Sequence, residues 1–235
     1  GGTTGTPKAA VGTHHGLLIS AMQSKAWFGD LFVDWEDVAV GNMPLFHIYG
    51  NLAVLCTALM GRHPLALVLD PRDLDDLLAT IKKVHPAMLP AVPTLLVAML
   101  KHPRVRSGEV DIGSIKVCFS AAAPLLAETK KRFEAVTGGR IVEGYALTES
   151  MLAGVSTPAH GTYKPGSVGV PLPDVQVRIL DADDGRTLLP AGQVGEIVMH
   201  APQLMQGYWR RPSETAEMLR EGPSPHTGER WLFTG

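Results

Sequence analysis

Apolar positions along the chain fall into two textures. From His15 to Tyr145, short apolar runs alternate with stretches whose apolar residues recur every three or four positions. That texture predicts helices alternating with strands. His15–Trp27 reads as a helix, Asp37–Asn42 as a short strand and Pro44–Gly50 as a loop. Asn51–Met60 contains the strongly apolar run Leu52–Met60 and reads as a buried helix. Leu65–Leu69 is strand-like. Arg72–Lys83 places Leu74, Leu77, Leu78 and Ile81 on one helical face, with acids near its start as the helix dipole favours. Ala87–Ala91 reads as a strand, and Pro93 opens a helix through Leu95–Leu100. Ile115–Ser120 is a strand, Leu126–Val136 an amphipathic helix ended by Gly138-Gly139, and Ile141–Tyr145 a further strand.

Strands alternating with helices imply an α/β fold of parallel-sheet layers covered by helices, with ligands beyond the carboxyl ends of the strands. After about Gly161 the apolar runs shorten and glycine and proline recur. Val175–Leu180 and Val194–His200 read as strands, with Asp183-Asp184-Gly185 and Pro190-Ala191-Gly192 as turns. This second texture predicts antiparallel β structure, a β-rich and barrel-like subdomain. The boundary is expected between Ser156 and Gly166.

Composition narrows the class. A chain of 235 residues, 45% hydrophobic and 19% charged, has ample material for a core. Its formal net charge of -2 gives no broad basic field, so nucleic acid is not an expected partner. The cluster Lys130-Lys131-Arg132 reads as a solvated helix face. Cys56 and Cys118 sit among apolar neighbours and read as buried free thiols, which fits a reducing, cytoplasmic compartment. The longest apolar run falls far short of the ~20 residues needed to span a bilayer. No signal peptide pattern is visible. The chain starts on Gly1, inside a motif, so it is expected to be the middle of a longer protein, for which peripheral membrane association is the alternative location.

Four segments carry candidate chemistry. Gly1 to Thr6 packs three glycines and three threonines, with Lys8 close behind. Glycines let backbone N–H groups converge on an anion, hydroxyls add donors, and lysine adds charge. It is not a Walker loop, because Pro7 precedes Lys8 and Ala9 follows. Gly144-Tyr145-Ala146-Leu147-Thr148-Glu149 leaves a predicted strand with an aromatic for stacking, a hydroxyl for phosphate and a carboxylate suited to Mg²⁺. Ser120-Ala121-Ala122-Ala123-Pro124 also follows a predicted strand, and its small side chains allow a flat base to approach. Pro44-Leu45-Phe46-His47-Ile48-Tyr49-Gly50 sets a histidine between aromatics, as in a pocket wall. Taken singly, each has a plain alternative: a polar terminus, a helix cap, a strand-to-helix turn, a structural histidine.

In this order and spacing the segments resemble the adenylate-forming superfamily of acyl- and aryl-CoA ligases, luciferases and amino-acid adenylation domains. Gly166-Ser167-Val168-Gly169, Gly195-Glu196-Ile197, Gly207-Tyr208-Trp209 with Pro212, and the final Trp231-Leu232-Phe233-Thr234-Gly235 agree with it. Ala146 stands where the family usually has glycine, and so does Ala121. The resemblance implies three parts: the end of a first α/β subdomain (1–60), a second α/β subdomain (61–160) and a truncated β-rich subdomain (161–235). It implies ATP, Mg²⁺ and coenzyme A as cofactors and a carboxylic acid as substrate. A carboxylate would attack the α-phosphorus of ATP, and a thiol would then displace AMP. Thr3, Thr4, Gly5, Thr6 and Lys8 would cradle the β- and γ-phosphates. Ala122, Ala123 and Pro124 would line adenine, and Tyr145 would stack on it. Thr148 would contact the α-phosphate, Glu149 would bind Mg²⁺, and His47 would lie near the reacting carboxylate. The loop Phe46–Gly50, Lys164–Pro173 and Gly207-Tyr208-Trp209 look most like a medium- or long-chain fatty acyl-CoA ligase. An aryl or other carboxylate is the alternative, and a degenerate nucleotide-binding homologue is a second. The family's ribose-binding aspartate would be the next residue, and its adenylation lysine lies further on. This piece alone is therefore expected to bind nucleotide poorly and not to turn over, and to pair as a homodimer or stand alone.

Overall fold

The computed structural model of the chain describes residues 6–223 and 228–235. In chain order its elements begin with β1 (Ala10–Val11), α1 (His14–Phe28), β2 (Ala39–Gly41), α2 (Thr57–Gly61), β3 (Leu65–Leu67), α3 (Leu74–Val84) and β4 (Met88–Ala91). Then come α4 (Pro93–Lys101), α5 (Pro103–Arg106), β5 (Val117–Ser120), α6 (Ala127–Thr137), β6 (Arg140–Ala146), β7 (Gly154–Ser156) and β8 (Val170–Pro171). The last are β9 (Gln176–Leu180), β10 (Glu196–His200), β11 (Gly207–Tyr208), α7 (Pro212–Met218), β12 (Leu219–Glu221) and β13 (Arg230–Phe233). A 3₁₀ turn covers Gly29–Leu31, and a wide π-helical stretch, Tyr49–Cys56, leads into α2.

The strands make a seven-stranded sheet ordered β3-β2-β4-β5-β6-β7-β8, a four-stranded sheet ordered β12-β13-β10-β9, and the pair β1-β11. Contacts group the residues into two units. One takes Ala21–Tyr145 and Val155–Val170; the other takes Gly1–Ser20, Ala146–Gly154 and Pro171–Gly235.

In the first unit, β2 pairs with β3 and β4, β4 with β5 and β5 with β6, all parallel. β4 is buried at all four positions, as a strand covered on both faces must be. The helix α3 shows how local sequence sets the packing. Asp73 caps it by accepting the Asp76 N–H at 3.0 Å, and Asp75 and Asp76 occupy its first turn. Leu77, Leu78 and Ile81 follow on one face and are fully buried. His85, in the left-handed conformation, ends the helix. These side chains pack with Val40, Leu89, Leu96, Met99, Cys118, Phe133 and Ile141 in the main core cluster.

In the second unit the β10 register runs antiparallel against β9 and β13. Trp231, Leu180, Val198 and Phe233 form one cluster there. Met205, Tyr208, Leu219 and Leu232 form another. The described strands of this region make an open sheet with β12 and β9 at its edges, and a barrel is not shown in it.

The α/β texture and the predicted helices and strands up to Tyr145 appear in place. The expected strand Val194–His200 begins only at Glu196, and Val194 is 97% exposed. Two other expectations need correction. Lys130 is not on a solvated face. It is 4% exposed, pairs with Glu134 at 3.0 Å, donates to the Ile141 carbonyl and lies 4.3 Å from the centre of the Tyr163 ring. One turn of α6 thus turns inward at Lys130 and Phe133 and outward at Lys131 and Arg132. Cys118 is a buried free thiol, but Cys56 is only half-buried; burial pushes both thiols up, so both stay protonated. Among the described residues no helix is long and apolar enough to cross a membrane.

Truncating Leu78 to alanine empties a fully buried site and is expected to cost about 2–5 kcal/mol. Asp73→Ala removes only the α3 cap and is expected to cost about 1 kcal/mol. Urea unfolding of the intact protein checks both, and equal losses would contradict this account of α3.

Candidate active site

The sequence-predicted residues divide between the two units. Thr3, Thr4 and Gly5 lie outside the described residues. Ala122, Ala123, Pro124, Tyr145 and His47 belong to the unit built on the parallel sheet; Thr6, Lys8, Thr148 and Glu149 belong to the other.

In the sheet unit, the predicted segments lie at the carboxyl ends of the parallel strands. Residues 121–124 leave β5 directly after Ser120, and Ser120 pairs with Glu143, two residues before Tyr145. This register brings the small-residue loop and Tyr145 to the same end of neighbouring strands. Ala122 adopts a left-handed φ of 71°, uncommon for a residue with a β-carbon, and residues 122–124 are exposed. Tyr145 is half-buried.

His47 lies on the exposed turn before the π-helical stretch. Its Nδ1 accepts the Tyr49 N–H at 3.1 Å, its own N–H donates to the Pro44 carbonyl at 3.0 Å, and its carbonyl accepts the Asn51 N–H at 2.9 Å. With Nδ1 an acceptor, the proton of the neutral ring is on Nε2. A glycine is required just after it: a β-carbon at Gly50 would lie 2.2 Å from the Pro44 carbonyl oxygen. Tyr49 then turns its phenol onto the strand ends. The O–H lies 2.5 Å from the Phe119 carbonyl and 3.1 Å from the Ala91 carbonyl, and its oxygen accepts the Ala91 N–H at 3.2 Å. Burial pushes this phenol well above its usual range, so it stays a donor.

Two further polar groups lie at this level. The registers Ala39↔Met88 and Met88↔Val117, continued three residues along each strand, align Asn42, Ala91 and Ser120. Asn42 Nδ2 and Oδ1 and Ser120 Oγ are buried without a hydrogen-bond partner.

In the other unit, Lys8 and Glu149 both meet Tyr208. The Lys8 Nζ lies 4.7 Å from the centre of the Tyr208 ring. The Tyr208 hydroxyl donates to Glu149 Oε1 at 2.5 Å, and both residues are buried. Burial, then the Glu149 carboxylate, push the phenol up, which keeps it protonated. Backbone pairing sets this arrangement. β1 runs antiparallel to β11, with Ala10 opposite Tyr208, flanked by Trp209 N–H to Ala9 O and Gln206 N–H to Val11 O, both 2.8 Å. The Met205 N–H donates to the Glu149 carbonyl at 3.0 Å.

Thr148 and Glu149 sit on a tight turn. Ser150 Oγ accepts the Leu147 N–H at 3.1 Å and donates to the Leu147 carbonyl at 2.9 Å. Met151 and Leu152 take left-handed φ values of 51° and 70°, and Ser20 Oγ donates to the Met151 carbonyl at 2.5 Å. Thr148 is half-buried and Thr6 exposed.

The carboxylate of Glu149 is a hard oxygen donor with Oε1 already held. Among the described residues no group of three or more His, Cys, Asp or Glu side chains could hold a metal ion by itself. That donor set fits Mg²⁺ carried on nucleotide phosphates, which takes one or two protein carboxylates rather than a full protein cage.

Sequence reasoning missed Tyr208 and Tyr49 as site residues. Both lay inside quoted motifs, Gly207-Tyr208-Trp209 and Phe46–Gly50, but neither motif says what its tyrosine touches. Asn42 and Ser120 gave no signal as a pair, because only the sheet register aligns them.

Comparisons with known proteins give the chain its family. A family model described as AMP-binding enzyme matches residues 1–209. The chain is 38% identical over 236 residues to a long-chain-fatty-acid–CoA ligase of Bacillus subtilis (strain 168), covering 100% of the chain and 40% of that relative. It is 32% identical over 236 residues to a 4-coumarate–CoA ligase-like 4 of Oryza sativa subsp. japonica, again covering 100% of the chain and 40% of that relative. The chain thus spans about 40% of the length of the curated relatives it matches. Among solved structures, ATP-bound MatB from Rhodopseudomonas palustris matches with a TM-score of 0.84 at 30% identity, covering 100% of this chain and 43% of that one. Matched over residues 1–209 of 235, the chain belongs to the AMP-binding enzyme family.

Proposed function

We propose that the intact protein carrying this chain is an acid–thiol ligase that activates a carboxylic acid, a fatty acid in our reading, with ATP and transfers it to coenzyme A. A carboxylate oxygen attacks the α-phosphorus, giving an acyl-adenylate and pyrophosphate. The thiol sulfur then attacks the acyl carbon, its proton is lost, and AMP leaves. The observation that carries the reading is the buried Glu149 carboxylate held beside Lys8 through Tyr208. A buried carboxylate and a lysine whose ammonium lies over an aromatic face are what a metal–triphosphate needs on its two sides.

The roles follow by residue. Thr3, Thr4, Gly5, Thr6 and Lys8 take the β- and γ-phosphates, and Thr148 the α-phosphate. Ala122, Ala123 and Pro124 line adenine, with Tyr145 stacking on it. Glu149 supplies the protein's carboxylate to Mg²⁺, which when bound offsets the phosphate charge. His47 orients the reacting carboxylate. Charge neutralisation and alignment, rather than proton transfer, dominate the first step, because it joins two anions. We also propose that the open four-stranded sheet belongs to a barrel-like subdomain of the intact protein. We carry the 1–60, 61–160 and 161–235 division to that protein as its subdomain plan, although β2 (39–41) shares the parallel sheet with β4.

The fatty-acid reading draws on the Bacillus subtilis relative, at 38% identity. The rice relative, named for 4-coumarate and 32% identical, favours an aryl carboxylate as the second reading. A carboxylate panel on the intact protein, read by AMP release, separates them. Octanoate and palmitate are expected to outrun benzoate and coumarate, and the reverse order overturns the fatty-acid assignment.

Lys8→Ala and Glu149→Gln are each expected to lower ATP–pyrophosphate exchange by about a hundredfold or more, the loss seen when one charge-stabilising group is removed. Exchange within threefold of the parent in both variants would contradict the roles given to them.

A further inference from the structure

The Tyr208 side chain is the one group in its unit that touches both Lys8 and Glu149 among the contacts described above, and no role has been given to it. We propose that Tyr208 is a positioning residue that fixes the metal-binding carboxylate and the phosphate-binding ammonium against one buried ring. The inference rests on the roles proposed for Lys8 and Glu149 and deepens them.

The backbone of Tyr208 is held on several sides. Its N–H donates to Thr215 Oγ1 at 2.8 Å, and Thr215 Oγ1 donates in turn to the Arg211 carbonyl at 2.7 Å. Gly207 has a φ of 148°, and a β-carbon there would lie 2.7 Å from the Thr215 methyl, so the approach of these two segments depends on glycine. The β1–β11 pairing carries the chain that follows Lys8 alongside Tyr208, and the Met205 N–H holds the Glu149 carbonyl. The backbones that carry the ring and the carboxylate are therefore held within the same unit.

The two side-chain contacts differ in kind. The phenol occupies Glu149 Oε1, which orients the carboxylate and leaves Oε2 for another ligand. A hydrogen bond to a charged group contributes about 1.5–3 kcal/mol, whereas a partly exposed cation over a ring contributes about 0.5–1 kcal/mol. The carboxylate is the tightly held partner and the ammonium the releasable one. A tyrosine that merely packed would satisfy its own hydroxyl without any bearing on metal.

Tyr208→Phe separates these cases, because it keeps the ring and the packing and removes the donor. In the intact protein, ATP binding is followed by calorimetry as Mg²⁺ is raised, with AMP binding without metal as the reference. The half-saturating Mg²⁺ concentration is expected to rise about tenfold or more in Y208F, while AMP affinity stays within about twofold. Combined with Glu149→Gln, Y208F is expected to add nothing, because its effect passes through that carboxylate. An unchanged Mg²⁺ requirement, or an effect that adds to that of E149Q, overturns the proposal. Should Y208F not fold, Thr215→Val loosens the Tyr208 backbone instead. A smaller shift in the same direction is then expected, and no shift overturns the proposal. A parent protein that binds no ATP at any Mg²⁺ concentration overturns the function reading itself and this inference with it.

Discussion

A parallel sheet ends in backbone groups that its own ladder cannot satisfy, and in this chain a buried phenol takes two of them. Between β2 and β4 the paired position is Ala39↔Met88, and Pro90 in β4 has no N–H to donate. Tyr49 enters where the ladder stops: its one hydroxyl proton goes to the Phe119 carbonyl, with an O···O distance of 2.5 Å, and its oxygen accepts the Ala91 N–H at 3.2 Å, while the Ala91 carbonyl accepts the Ala121 N–H at 3.4 Å. A buried backbone group left unpaired costs about 1–3 kcal/mol, so this one side chain replaces ladder contacts of comparable size. It also ties the 44–50 loop to the sheet, because the Tyr49 N–H is the group that holds His47 Nδ1. Asn42 and Ser120 are buried at the same level, where no group among the described residues bonds their side-chain polar atoms.

The second unit solves a different problem with the same residue type. β1 and β11 are two residues each, too short to hold a register unaided. Flanking hydrogen bonds from Gln206 and Trp209 lengthen the pairing, and the buried ring of Tyr208 gives it a core. The chain that follows Lys8 and the Thr148–Glu149 turn are then both referred to the 205–209 segment. Left-handed residues at Met151 and Leu152 show that the turn itself is under constraint, which persists because Ser20, Ser150 and Met205 over-determine it.

Legibility in the sequence followed the length of each pattern. α3 was readable because four apolar residues on one face and the acids near its start agree over eleven residues. β4 and β5 were readable as continuous apolar runs between helices. β1, β8 and β11, two residues each, and the three-residue β7 were not read as strands. Lys130 was misread because charge in a helix normally marks a solvated face, and only the fold supplies Glu134, Ile141 and Tyr163 around it. The two contact-defined units take interleaved stretches of chain, which no shift in composition along the sequence reports. Of the candidate site, the residue types were legible and the residues that hold them were not. Lys8, Thr148 and Glu149 stand out by chemistry, whereas Tyr208 and Tyr49 matter by what they touch.

Lys8 and Glu149 are held by different physics from the 44–50 loop. Glu149 accepts a charged hydrogen bond from the phenol of a buried ring, and Lys8 lies over the face of that ring. The 44–50 loop is fixed by close backbone approach: Gly50 against the Pro44 carbonyl, then wide helical turns from Tyr49. Its tip is apolar and open, with Phe46 95% exposed beside the exposed His47. Wide helical turns of this kind are uncommon and recur at functional positions. Side chains on such a tip can change in size without disturbing Tyr49, while any β-carbon at position 50 would force the loop apart from the strand ends. Change in side-chain size is thus allowed at Leu45 and Phe46, while Gly50 resists it because any β-carbon there meets the Pro44 carbonyl.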